Sequence, residues 1–185
     1  MRTLVSTFFS SLDGVVDAPH EWHFPYIDDE VMGVVGSTFA GCDALLMGRV
    51  TYQEWEPHWS QQSGDGGMAD FINNTQKYVA STTLQSTSWR NSTLLNGDIG
   101  SAVRELKEQP GGTIVTNGSG TLVRSLMQEG LVDELQLLVH PVVVGTGKHL
   151  FENGAGPVGM ALADVQRFGT GALLLSYRRA GERRD

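Results

Sequence analysis

The 185-residue chain carries 13 Lys and Arg against 21 Asp and Glu, a formal net charge of −8. With no basic stripe, that balance argues against a nucleic-acid partner, whose phosphates it would repel. Hydrophobic content of 40 % and charged content of 18 % exclude a disordered chain and suit one domain with a sizeable core.

Thr3 to Ser10 reads as a first strand; the apolar start is too short for a leader and lacks a cleavage site. No apolar run approaches a membrane span, and the lone Cys42 cannot form an intrachain disulfide. These features read as a cytoplasmic protein. Asp28, Asp29 and Glu30 favour a helix start before Val31 to Phe39. Cys42 then falls in a helix–strand connection and Ala44 to Met47 forms a buried strand. A helix from Val50 to Glu56 is limited by Pro57. A loop over 61–67, a helix from Met68 to Thr75 and a strand from Lys77 to Ala80 follow.

Thr93 to Leu95 is a short strand, and Asp98 caps a helix from Ile99 to Glu108 that Pro110-Gly111-Gly112 ends. Thr113 to Asn117 is a strand running into a glycine turn and a helix that buries Leu122, Val123, Leu126 and Met127. The apolar run from Asp133 to Val144 contains Pro141, which predicts a bulge or an edge position. Met160 to Phe168 and Ala172 to Arg178 form a hairpin through Gly169-Thr170-Gly171. The pattern predicts a single α/β domain over 1–179, a mostly parallel sheet with helices on both faces and an antiparallel C-terminal hairpin. Residues 180–185 read as a polar tail, and Arg178, Arg179, Arg183 and Arg184 as a solubilising cluster.

Two strand–glycine–helix starts carry the functional signal. One is Met47-Gly48-Arg49-Val50-Thr51, the other Asn117-Gly118-Ser119-Gly120-Thr121-Leu122. Glycine lets a ligand approach the backbone, and the free N–H groups and dipole of a helix start favour a phosphate. The bland alternative is an ordinary turn, since the third glycine of a dinucleotide fingerprint is missing. Ser81-Thr82-Thr83-Leu84 follows the strand from Lys77 to Ala80 and either binds a ligand there or caps its own loop. Asp13 can meet the N–H donors of a heterocycle, or deliver a proton if burial raises its pKa; Asp13-Gly14 can equally be a plain turn. Trp22, Phe24 and Tyr26 can stack on a flat substrate or form a local lid or dimer contact. His20, His23, His58, His140 and His149 show no metal-ligand spacing.

Taken with Ser10-Ser11-Leu12-Asp13-Gly14, Leu131-Val132-Asp133-Glu134-Leu135 and Pro141 to Phe151, these motifs resemble the dihydrofolate-reductase-like family. The branch is the one of the reductase domain of the bacterial riboflavin-biosynthesis deaminase–reductase. The resemblance implies a three-layer fold, a homodimer and NADPH, with NADH left open. It implies a reductase that passes hydride to a C=N or C=O bond of a small pterin-like or riboflavin-precursor-like heterocycle; a non-catalytic nucleotide or flavin binder on the same fold is the alternative. Cofactor residues would be Gly48, Arg49, Thr51, Ser81, Thr82, Thr83, Leu84, Gly118, Ser119, Gly120, Thr121 and Leu122. Asp13, Trp22 and Asn117 would meet the substrate, with Asp13 catalytic. The chain departs from the family at Thr82, where a basic residue often holds the 2′-phosphate, and at Asn117, where the pathway enzyme usually has an acid.

Overall fold

The structure, a computed structural model, describes residues 1–64, 66–151 and 156–181. Its elements are β1 (Leu4–Ser11), α1 (Asp29–Ala40), β2 (Cys42–Gly48), α2 (Arg49–Trp59), α3 (Met68–Asn74), β3 (Gln76–Ala80), β4 (Ser92–Leu95), α4 (Ile99–Glu108), β5 (Thr113–Asn117), α5 (Gly120–Gln128), β6 (Glu134–His140), β7 (Met160–Arg167) and β8 (Leu173–Arg179). The strands form one eight-stranded sheet in the order β4-β3-β2-β5-β1-β6-β8-β7. β4 to β6 are parallel, and β8 and β7 complete the sheet antiparallel, as the pattern predicts.

Alternation along the inner strands buries both faces. Leu4, Phe8, Leu46 and Ile114 meet Val103 and Leu106 of α4 and Val123, Leu126 and Met127 of α5. Their neighbours Val5, Leu45, Met47 and Val115 point the other way, onto Phe39 of α1, Tyr52 of α2 and Ile72 of α3. Near β6 this second face continues through Val31, Leu138, Phe168 and Ala172. Each such aliphatic side chain contributes about 1.5–3 kcal/mol on burial. Asp28 and Asp98 cap α1 and α4, accepting from Val31 N–H and from the Gly100 and Ser101 N–H groups.

Four sequence readings change. Pro57 does not stop α2, which runs on to Trp59. One bond is lost there, but Ser60 N–H still reaches Glu56 O, and Trp55 and Trp59 anchor the last turn on the core. Pro141 is neither a bulge nor an edge residue. β6 lies between β1 and β8, where a residue without N–H breaks the ladder, so the strand ends at His140. Cys42 opens β2 rather than lying in a connection, and burial pushes its thiol up to about 11. Arg178 and Arg179 are strand residues rather than a tail, since Arg178 pairs with Glu134 and Arg179 donates to Gly130 O. Residues 182–185 of the expected tail lie outside the described residues, as does Asp65 of the loop.

One ion pair ties three segments together. The Asp133 carboxylate accepts from Leu4 N–H at 2.7 Å and from Lys107 Nζ at 2.6 Å, while Lys107 also donates to Leu131 O at 2.8 Å. The start of β1, the end of α4 and the entry to β6 meet there. Asp133→Ala leaves a buried ammonium without its carboxylate and should cost about 3 kcal/mol. Asp164→Ala on exposed β7 should stay within about 0.5 kcal/mol. Urea midpoints of the two variants check this, and equal midpoints would refute it.

Candidate functional site

The carboxyl ends of β1, β2, β3 and β5 open onto one cleft of about 870 Å³. That end of a parallel sheet is where an open α/β fold presents loops and helix starts to a ligand. Gly48, Arg49 and Thr51 enter it from β2 and α2, and Ser81, Thr82 and Thr83 from the loop after β3. Asn117, Gly118, Ser119, Gly120, Thr121 and Leu122 enter it from β5 and α5. Two motifs 70 positions apart in the chain thus share one wall.

Ser119 fastens that wall. Its hydroxyl accepts from Gly48 N–H at 2.9 Å and donates to Thr51 Oγ1 at 2.9 Å. This geometry needs two left-handed residues in succession, Gly118 at φ +75 and Ser119 at φ +59. Glycine takes the first without strain, and the two hydrogen bonds hold serine in the second. Gly48 N–H is therefore engaged within the protein rather than free for a ligand. Neither α2 nor α5 has a side-chain cap, in contrast to α1 and α4. The first turns of both helices line the same cleft, and a helix start is a suitable place for an anion.

The glycines pass a test of fit for such a ligand. Gly48 has an ordinary extended backbone, φ −78 and ψ 164, and a Cβ there would meet Ser119 at a comfortable 3.6 Å. A Cβ on Gly120 would lie no closer than 3.6 Å to Arg124. Packing within the chain demands glycine at neither position; close approach of a ligand would.

The charge lining the cleft opposes that of the whole chain. Arg49, Arg124 and Lys148 line it against the carboxylates of Asp17 and Glu54. Arg49 is exposed and donates to Gln53 at 2.8 Å. Arg124 donates to Leu150 O and to Thr121 Oγ1, and Lys148 lies 3.6 Å from Asp17. The sequence reading missed Arg124, although its spacing one turn beyond Gly120 and Thr121 puts it on their face of the helix. It also missed Lys148, for which no local signal exists. The loop holding Lys148 reaches the cleft through a bridge between Val15 and His149 and through Val16 N–H bonding to Lys148 O.

Several expected residues sit elsewhere. Ser81 lines the cleft, but its hydroxyl accepts from Thr83 and Leu84 N–H and closes its own turn. Leu84 does not line the cleft; it packs against the second hydrophobic cluster. Thr82 and Thr83 are exposed at the rim. Trp22 lies on His140 with ring centres 5.5 Å apart, and its Nε1 donates to Asp17 O. Asp13 does not reach the cleft either. Its carboxylate accepts from Ser11 Oγ at 2.6 Å, Val144 N–H at 3.1 Å and Gly145 N–H at 2.8 Å. The Ser11 hydroxyl and those two amides hold it down to about 2. A carboxyl that keeps its charge so firmly is a poor proton donor, and the expected raised pKa is corrected to a lowered one. Among the described residues, no group of three or more His, Cys, Asp or Glu side chains is placed to hold a metal ion. No helix there is long and apolar enough to cross a membrane.

A parallel sheet carrying this cleft, closed by an antiparallel hairpin, defines a dihydrofolate-reductase-like protein. The dihydrofolate reductase of Enterococcus faecalis complexed with NADP(H) superposes with a TM-score of 0.65 at 12 % identity, covering 96 % of each chain. The chain belongs to the RibD C-terminal domain family, whose model matches residues 2–174. It is 29 % identical to the uncharacterized protein YyaP of Bacillus subtilis (strain 168), over 95 % of this chain and 94 % of that one. A pyrimidine reductase-like protein from Corynebacterium diphtheriae superposes with a TM-score of 0.69 at 13 % identity, covering 97 % of this chain and 92 % of that one.

The Asp13 geometry fixes a pH dependence. Its folded-state pKa of about 2 lies below the ordinary 3.8, so its contribution to stability is complete above about pH 3.8. It is lost as pH falls through about 2. Asp13→Asn should therefore be less stable than wild type at pH 7, and the gap should close on acidification through that window. A gap independent of pH in acid-unfolding curves would contradict this role.

Proposed function

We propose that the chain is a reductase that uses NADPH to reduce a C=N or C=O bond of a small planar heterocycle. The observation that carries this reading is the shared wall built from Gly48 to Thr51 and Gly118 to Leu122, locked by Ser119. The first-turn N–H groups of α2 and α5, with Thr121, would hold the pyrophosphate. Arg49 and the rim hydroxyls of Thr82 and Thr83 would meet the 2′-phosphate, which accounts for binding without the basic residue missing at Thr82. When bound, the nicotinamide supplies the hydride. The chain's share is to orient the two rings and keep water out, with Asn117 at the floor where the substrate lies.

The name of the pyrimidine reductase-like neighbour and membership of the RibD C-terminal domain family support a riboflavin-precursor-like pyrimidine over a folate. The reading also places the protein in the cytoplasm as a homodimer. The exposed Leu162 and Val165 on the edge strand β7 give the dimer an apolar patch to bury.

Calorimetric titration tests the cofactor. NADPH should bind at micromolar concentration and NADH about tenfold more weakly, with Arg49→Ala abolishing the difference. Gly48→Ala should melt at or slightly above the wild-type temperature, because alanine suits that backbone and restricts the unfolded chain. The same variant should bind NADPH at least tenfold more weakly. If Gly48→Ala binds normally, the wall is structural and the assignment falls. Tight binding without NADPH oxidation across pterins, flavin precursors and carbonyl compounds would leave a nucleotide binder.

Light scattering at micromolar protein tests assembly. Leu162→Lys with Val165→Lys should convert a dimer to a monomer; a monomeric wild type removes the dimer from the reading.

A further inference from the structure

Beside the cleft lies a cluster of rings that the cofactor wall does not use. His140 ends β6 and is fully buried, at 0 % exposure. Around it stand Phe9, Trp22, His23 and Tyr26, with ring centres 5.7, 5.5, 6.0 and 6.2 Å away. Phe9 itself lines the cleft, so the cluster shares a side chain with it.

Two nitrogens in the cluster, His140 Nε2 and His23 Nδ1, have no hydrogen-bond partner among the described residues. The tautomer of His140 follows from its other nitrogen. Nδ1 lies 3.4 Å from Ser10 O, and a carbonyl can only accept, so Nδ1 carries the proton. Nε2 is then a bare acceptor, buried among rings with no donor. Burial also holds both imidazoles below their ordinary range, which keeps that lone pair free. An unsatisfied buried acceptor is costly and calls for a reason.

The segment covering it is lightly held. Residues 18–26 form two short 3-10 turns, Pro19–Glu21 and Phe24–Tyr26, neither with a buried residue. Among the described residues, the hydrogen bonds of 18–26 close within the segment or onto its chain neighbours Asp17 and Ile27. The segment leaves the cleft wall through Ala18, a non-glycine residue at φ +42. Ring contacts from Trp22, His23 and Tyr26 lay it over His140.

We propose that residues 18–26 are a movable cover and that His140 Nε2 is the acceptor for a ring N–H of the substrate, a planar nitrogen heterocycle. The heterocycle takes the place of the Trp22 and His23 rings against His140 and Phe9, next to the cofactor wall. This assignment rests on the reductase reading for the adjoining cofactor. It makes His140 a specificity-determining residue that selects heterocycles with an unsubstituted ring N–H.

The test uses pteridine-2,4-dione, which has ring N–H donors, and its 1,3-dimethyl derivative, which has none. Binding of each to the intact protein is measured with and without saturating NADPH. Wild type should bind the parent compound about tenfold more tightly than the dimethyl compound. His140→Phe keeps a ring but removes the acceptor, so the ratio should fall to near one with NADPH affinity unchanged. His140→Gln returns an acceptor and should restore part of the preference. Equal affinity of wild type for the two compounds overturns the proposal even if His140→Phe fails to fold, and so does a ratio that survives His140→Phe. Loss of NADPH binding by wild type would instead strike the reductase reading, and the arm without NADPH would still judge His140.

Discussion

One hydroxyl ties the two glycine motifs of this molecule together. Ser119 Oγ joins Gly48 N–H and Thr51 Oγ1 across the gap between β5 and β2. The two strands are neighbours in the sheet, so their helices leave side by side. Adjacency alone does not aim two helix starts at a common point. The left-handed pair at Gly118 and Ser119 turns the chain so that α5 starts beside α2, and the hydroxyl fixes the spacing. Without it, α2 and α5 would still pack on the sheet through Tyr52 and through Val123, Leu126 and Met127, but the direct tie between their first turns would be lost.

A second constraint shapes the other end of the cleft. Asp13 joins the end of β1 to the amides of Val144 and Gly145, and the Val15 to His149 bridge continues that seam. Gly147 makes the close packing possible, since a Cβ there would lie 2.8 Å from Val15. The loop after β6 is thereby drawn over the cleft and brings Lys148 and His149 with it. Asp13 thus lies off the cleft and clasps its wall. The same feature that made it attractive in the sequence, a carboxylate just after the central strand, is what suits it to this task.

The sequence showed the strand order of events well and the contacts between distant segments poorly. Alternation in Leu4-Val5 and Leu45-Leu46 marked strands buried on both sides, and Asp98 before Ile99 marked a capped helix, because those signals are local. The two glycine motifs were legible for the same reason. Ser119 was named, yet its bond to Gly48 was not foreseeable, because it depends on which strands become neighbours. Leu84 and Trp22 were misplaced by the same blindness, since a side chain near a motif in the chain can point away from it. Arg124 was readable from helical spacing, whereas Lys148 was not, because only the tertiary seam at Val15 carries it to the cleft. His140 gave no signal at all. An imidazole in an apolar strand reads as core until its unpartnered nitrogen is seen.

A net negative charge opposes an anion at long range, but the length scale removes the conflict. At physiological ionic strength charges are screened beyond roughly 8 Å. The acidic excess of −8 is a sum over the whole chain, of which Asp17 and Glu54 line the cleft. Against those two carboxylates the cleft sets Arg49, Arg124, Lys148 and two helix starts. A net negative charge repels polyanions that need a broad surface. A dinucleotide presents its phosphates at a few points, so it needs only local donors. An acidic chain can therefore hold a small anion firmly while rejecting a nucleic acid, and the sign of the total says little about the sign felt at the site.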